Sequence, residues 1–360
     1  MNRHISLRQL RLLQMMAILP TTLVFLPGQT FEKSGTGALY AAILAAVGAF
    51  VINIAVLWSS HGASPGRLFH KSWGNLVGRC VMGIYALGIL TGIISIWNEL
   101  FTFVQASVLP RTPEWAIGIL VWGVLAAAVS GGAPGLARLT DLLTVGAILL
   151  GLVVLVPVMG YVRPVHFVPF LPPSLMAIGK GAWLPMTFLG ESVVGVAFLD
   201  SARGVDPHQR SNAILQGTFI SAGVFVGIVT LLWGVLGAGF AASQSFPILE
   251  AIRDVRLSQF LSRFDIVFVP LWVALVELKL AIWMFIAVNS VRRAVRWGSS
   301  RLWMVLLGGA TGAIASLGFT SVVERIAFLK ATWGEGAFPV LVLLLLISGL
   351  ASKFRGVHDG

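Results

Sequence analysis

Ten times the chain runs for most of a membrane thickness with almost no charge. The runs lie near 10–27, 37–58, 77–104, 115–130, 138–161, 175–199, 212–239, 265–290, 302–318 and 337–352. A bilayer core of about 30 Å takes roughly 20 apolar residues wound as a helix. The pattern therefore predicts an all-α polytopic membrane protein, a single transmembrane domain over residues 1–360. Punctuation falls between the runs, at Gly62 to Gly66, Pro110 to Pro113, Gly131 to Gly135 and Pro164 to Pro173. Only 11% of residues are charged and 57% are hydrophobic, whereas a soluble domain carries roughly 25% charged residues. A water-soluble globule is excluded. Cys80 is the only cysteine, so no disulfide framework forms within the chain. The 40 glycines and 16 prolines argue against a coiled coil. The first run is not followed by a small-residue cleavage pattern and is expected to be retained.

The formal charge of +11 would suggest nucleic acid in a soluble protein, but here its placement explains it. Fifteen Lys and Arg fall on the side of the N-terminus, among them Arg3, Arg67, Lys71, Arg79, Arg203, Arg292, Arg293, Arg296 and Arg355. Eight fall on the other, among them Lys33, Arg111, Arg256, Arg263, Arg325 and Lys330. The excess predicts cytoplasmic termini facing an anionic leaflet. The lipid bilayer is the partner implied, and nucleic acid is not.

Several motifs read as structure rather than chemistry. Gly62-Ala63-Ser64-Pro65-Gly66 has the G-x-S-x-G spacing but lies between two membrane helices, away from the strand-to-helix turn that gives it meaning. Gly35-Thr36-Gly37 has neither a preceding strand nor a P-loop lysine. The six histidines are scattered over loops and tails without metal-pair spacing, so no metal or cofactor is expected. Gly88/Gly92, Gly223/Gly227 and Gly308/Gly312 read as sites of close helix packing. The twelve tryptophans read as packing and interfacial belts.

The informative residues are charges inside the runs: Glu99, Lys180, Glu191, Glu277 and Lys279. Each costs about 2.5–3.5 kcal/mol at a helix centre. Glu277 and Lys279 stand two residues apart, about 200° around a helix, so each needs a partner elsewhere. Lys180 is near a helix end, where it can snorkel. Glu191 also reads as a possible cap of a half-helix. Helix breakers supply the second clue. Pro20-Thr21-Thr22 interrupts the first run, and Pro185 with Phe188-Leu189-Gly190-Glu191 interrupts the sixth. Broken first and sixth helices among ten fit a five-plus-five inverted repeat, about 1–161 and 165–355, with a ligand held at the breaks. Simple proline kinks are the alternative.

Short motifs in order along the chain carry a resemblance. They are Ile5-Ser6-Leu7-Arg8-Gln9-Leu10, Phe25-Leu26-Pro27-Gly28, Leu109-Pro110-Arg111-Thr112-Pro113 and Gly135-Leu136-Ala137-Arg138-Leu139. Gly190-Glu191, Phe246-Pro247-Ile248-Leu249, Ser262-Arg263-Phe264-Asp265 and Leu271-Trp272 complete the series. Together they resemble the B subunit of spore-germination nutrient receptors, a branch of the amino acid–polyamine–organocation transporters. The resemblance implies the ten-helix amino-acid-transporter fold, the inner spore membrane, and two partners: an A-type membrane subunit and a C-type lipoprotein. It implies that the chain binds a nutrient, often an amino acid, in a pocket formed by Pro20, Thr21 and Thr22, by Glu99, by Phe188, Leu189, Gly190 and Glu191, and by Glu277. Pro20 stands where the family commonly has glycine. A proton-coupled amino acid permease would share this scaffold, and a passive structural subunit is a third reading. No constellation of nucleophile, base and metal points to an enzyme.

Overall fold

Serine, aspartate and proline start the helices at the positions physical chemistry favours. The computed structural model describes residues 4–168, 174–202, 204–254 and 265–354, and among these no strand occurs. Helix α1 (Leu7–Val24) opens on a capping box, with Ser6 accepting from the Gln9 amide and Gln9 reaching back to Ser6. After α2 (Leu26–Ser34), α3 (Ala38–Ser60) and α4 (Pro65–Ser107) come α5 (Glu114–Ser130), α6 (Gly132–Met159), α7 (Leu175–Leu189) and α8 (Ser192–Gly195). The chain continues through α9 (Pro207–Leu236), α10 (Ala238–Ser243), α11 (Pro247–Arg253), α12 (Asp265–Val295), α13 (Ser300–Leu317), α14 (Val322–Phe328) and α15 (Phe338–Phe354). Ser174, Asp206, Ser299 and Ser321 each accept a hydrogen bond from the amide three residues on.

All ten expected spans coincide with helix. Eight helical stretches are long and apolar enough to cross a membrane. The shorter α5 and the polar-lined α1 account for the other two. The Gly131-to-Gly135 loop shrinks to a turn, since α6 begins at Gly132. The third span begins earlier than expected: α4 starts at Pro65 but bends at Gly74, whose φ of +76° suits glycine. Residues 65–73 thus form a short arm before the span proper. The last span also starts early, because α14 passes into a π-helical segment, Leu329–Ala337, that leads directly into α15. The motif residues Ser262 to Phe264, as well as Arg3, Arg203, Arg256, Arg263 and Arg355, lie outside the described residues.

The first helix corrects the expectation of a break. Pro20 sits inside a continuous α1, and Phe25 keeps helical angles (φ −90°, ψ −42°) at the junction with α2. A membrane proline removes one donor, and neighbours can satisfy what it frees. The carbonyl left without its donor is that of Met16; around the kink the Pro20 carbonyl accepts from Trp272 Nε1 at 2.6 Å, and Thr22 Oγ1 donates to the Ile18 carbonyl at 2.7 Å. The result is a kink. The sixth helix is broken as expected: α7 stops at Leu189, Gly190 and Glu191 form a turn, and a single turn of α8 leads into 3₁₀ helix over Val196–Ala202.

Helices α1, α4, α7 with α8, and α12 form the centre, while α5, α6 and α13 lie outside it. The most apolar part of Leu175–Ala202 is 82% buried, against 18% for Gly132–Met159. Leu142, Val145, Ile148 and Leu152 of α6 are exposed, as a lipid-facing helix requires. Two glycine pairs pack closely. A side chain at Gly92 would collide with Trp283, one at Gly88 with Leu341, and one at Gly308 with Trp122. The pair Gly223/Gly227 instead meets open space, so the packing reading fails there. Gly92→Val should therefore cost about 1–3 kcal/mol by overpacking, read as a lower thermal midpoint in detergent. Gly223→Val should leave the midpoint unchanged.

Candidate functional site

The break in the sixth helix positions the central feature of the interior. Glu191 occupies the turn, and its carboxylate meets Lys279 of α12, with Nζ at 3.0 Å from Oε2 and 3.4 Å from Oε1. Both side chains are almost fully buried. Lys279 also donates to Thr21 Oγ1 at 2.9 Å, which ties the kinked first helix into the same cluster. Phe188 and Trp283 flank the ammonium at 5.2 Å and 5.8 Å from their ring centroids. Glu191 therefore spends its carboxylate on an ion pair rather than on capping a half-helix.

The backbone freed by the break is held by side chains. Asn53 Nδ2 donates to the Leu189 carbonyl at 3.2 Å, and Tyr85 Oη donates to the Val193 carbonyl at 2.5 Å. Gly190 is needed because a Cβ there would press on Phe338 and the Met186 carbonyl. The π-helical segment carries Trp333 into the same wall, 5.2 Å from Trp283 and 6.4 Å from Phe188 between centroids. A π turn is often found at a functional site. Trp283 thus serves as part of an aromatic surround for an ammonium supplied by the chain itself, in addition to packing.

Glu99 lies beside this cluster, adjacent to Thr21 and within electrostatic reach of Lys279 and Glu191. It is 3% exposed, and neither carboxylate oxygen meets hydrogen-bond geometry with any described residue. It also lines a cavity of about 30 Å³ that opens toward the face opposite the N-terminus, together with Gln29, Asn98 and Arg325. Arg325 closes that side: it donates to Asn98 Oδ1 at 3.2 Å and Glu114 Oε2 at 2.5 Å, and lies over Phe101 and Phe319. On the N-terminal face, the segment after the break ends at Asp200. It accepts from Ser64 Oγ at 2.5 Å and from Arg67, with Arg293 3.5 Å from Ser64 Oγ. The Ser64 hydroxyl is thus spent on Asp200.

Of the expected site residues, the structure brings together Thr21, Glu99, Phe188 and Glu191. Pro20, Thr22, Leu189 and Gly190 shape the two interruptions from buried positions. Glu277 is not among them. It is half-buried on the other side of α12 and bonds to no described residue, while Lys279 takes its place at the centre. Lys180 is exposed beside Lys33, Lys330 and Glu335, as snorkelling predicts. Sequence reasoning flagged Lys279 as a buried charge but left it out of the pocket; Asn53, Tyr85, Trp272 and Arg325 carried no signal that single-chain patterns could resolve.

The spore permease family, described as spore germination protein, matches residues 4–322. The chain belongs to this family. It is an integral membrane protein of the spore germination, permease-like class, and the family is of transporter and receptor type. No curated protein matches it. Arg325 and the π-helical segment lie beyond the matched residues.

Removing the ammonium leaves Glu191 buried without its partner, a change worth about 3–5 kcal/mol. Lys279→Met should therefore lower the thermal midpoint sharply in detergent. Adding Glu191→Gln to Lys279→Met should recover much of the loss; no recovery would mean that the pair is not coupled.

Proposed function

We propose that this chain is the nutrient-sensing subunit of a spore germination receptor and takes a ligand of the amino acid class beside the break in its sixth helix. The observation that carries this reading is Glu99, a buried carboxylate with no cation paired to it among the described residues, next to an ion pair that is already complete. A carboxylate in such a place calls for a cation or a proton. Lys279 is committed to Glu191, so a ligand ammonium goes to Glu99. The Asn98 amide nitrogen, also without an acceptor, is a donor for the ligand carboxylate. The cavity of about 30 Å³ has room for a water but not for an amino acid. Binding therefore separates α14 from α4 on the far side, and the ligand shifts this equilibrium only by its differential affinity for the two states.

In this reading the protein is not an enzyme and holds no cofactor. It lies in the inner spore membrane with both termini in the cytoplasm and acts with A-type and C-type partner subunits. Residues 1–161 and 165–355 form the inverted repeats. The meeting of Thr21 and Glu191 at Lys279 supports that pairing of halves, since the kink of helix one and the break of helix six come to one point.

Glu99→Gln and Thr21→Ala should each weaken nutrient response by about tenfold, the effect of losing one hydrogen bond to a charged group. The amount of protein in the membrane should not change. Normal sensitivity in both variants would rule out this pocket. Glu277→Gln should respond as the parent does.

A proton-coupled permease is the second reading, because an unpaired Glu99 could equally take a proton. Amino acid flux into vesicles containing this chain alone, driven by a pH gradient, would establish the carrier. Ligand binding without flux, with a response that needs the partner subunits, would establish the receptor.

A further inference from the structure

A second enclosed space plays no part in the reading above. It has a volume of about 280 Å³ and lies on the N-terminal face, between the turn after α3, the arm of α4, the start of α9 and the end of α15. Among the described residues, Arg67, Lys71, Arg210 and Lys353 line it, with Ser60 and Ser352, and no aspartate or glutamate does. Arg67 is taken up by Asp200. Arg210 is different. It is 8% exposed; among the described residues its guanidinium donates to a neutral acceptor, the Leu199 carbonyl at 2.8 Å, and its Nε meets no acceptor. A guanidinium is never neutral in a protein, and burying one without an anion is strongly unfavourable. Among the described residues, Arg210 therefore lacks a counter-charge.

The size and donor set of the space narrow what can supply that charge. A planar guanidinium fork and an ammonium suit tetrahedral oxyanions. Lys353 Nζ lies 5.4 Å from the centre of the Trp58 ring, and Trp58 and Phe354 are exposed apolar groups. An aromatic group beside a cation at a helix end is the arrangement found where lipid headgroups meet protein.

We propose that this cavity is an anion site for a phosphate group, with Arg210 as its buried anchor and Lys353 at its entrance. The phosphate is that of a lipid headgroup or a free phosphate ion; the chemistry recognised is the same. The site holds the turn after α3, α4, α9 and α15 together on one face.

The test uses the full chain. Its thermal midpoint is measured in uncharged detergent with inorganic phosphate against sodium chloride of equal ionic strength. It is measured again in nanodiscs of phosphatidylcholine with and without phosphatidylglycerol. A rise with phosphatidylglycerol alone identifies the lipid as the source, and a rise with inorganic phosphate identifies the free ion. Lys353→Gln should weaken the effect by about tenfold, as loss of one charged contact does, and Arg210→Gln should abolish it. Where Arg210→Gln does not fold, Lys353→Gln carries the test alone. No rise in either medium beyond the salt and phosphatidylcholine controls, or a rise undiminished by Lys353→Gln, would overturn the proposal.

Discussion

A charge in the interior of a membrane protein persists only when something nearby neutralises or hydrogen-bonds it. Lys279 meets that condition through two helices at once, by its salt bridge to Glu191 and its hydrogen bond to Thr21. The broken turn at Gly190 and Glu191 follows from this. A continuous sixth helix would keep its main chain fully paired and leave less freedom to aim the Glu191 carboxylate at α12. The aromatic wall of Phe188, Trp283 and Trp333 then encloses the ammonium. The close approach at Gly92 of α4 leaves room for Trp283. First, third, sixth and eighth spans are thus fixed relative to one another by one cation and its surroundings.

Around that centre the molecule is closed on both sides by arginines paired with carboxylates. Arg325 reaches Asn98 and Glu114 on one face, and Arg67 reaches Asp200 on the other. Glu99 stands between the ion pair and the first of these closures and shares a cavity with Arg325. Of the three buried ionisable groups at the centre it alone is in no ion pair among the described residues, with only the Thr21 hydroxyl beside it, so a change in what occupies that cavity acts on it first.

The apolar runs and their spacing made the helices legible, because hydrocarbon thickness leaves few other ways to satisfy a backbone. The break at Gly190 was legible for the same reason, since proline and glycine act locally. The kink at Pro20 was misread as an unwinding: the helix runs on past the proline, and the Trp272 that bonds the Pro20 carbonyl lies 252 residues away along the chain. The spacing of Glu277 and Lys279 correctly placed them on opposite faces, but a helix period gives relative angle and not which face turns inward. Gly74 and the π-helical segment hid the true starts of two spans, because both preserve helix on either side. The role of Arg325 depends on a contact with Glu114, 211 residues earlier, which no local pattern encodes.

The Glu191–Lys279 bond spans 88 residues of sequence, and this has a consequence for biogenesis. Synthesis delivers the sixth helix to the bilayer well before the eighth. Until α12 arrives, the carboxylate must remain protonated, stay in contact with water, or lean on Thr21 of the first helix. The eighth helix in turn brings in two ionisable groups, Glu277 and Lys279, whose insertion penalty is relieved for the lysine only when the earlier helices already stand in place. Assembly of the bundle is therefore sequential by electrostatic necessity, with the final helices locking an arrangement that the first seven can only prepare.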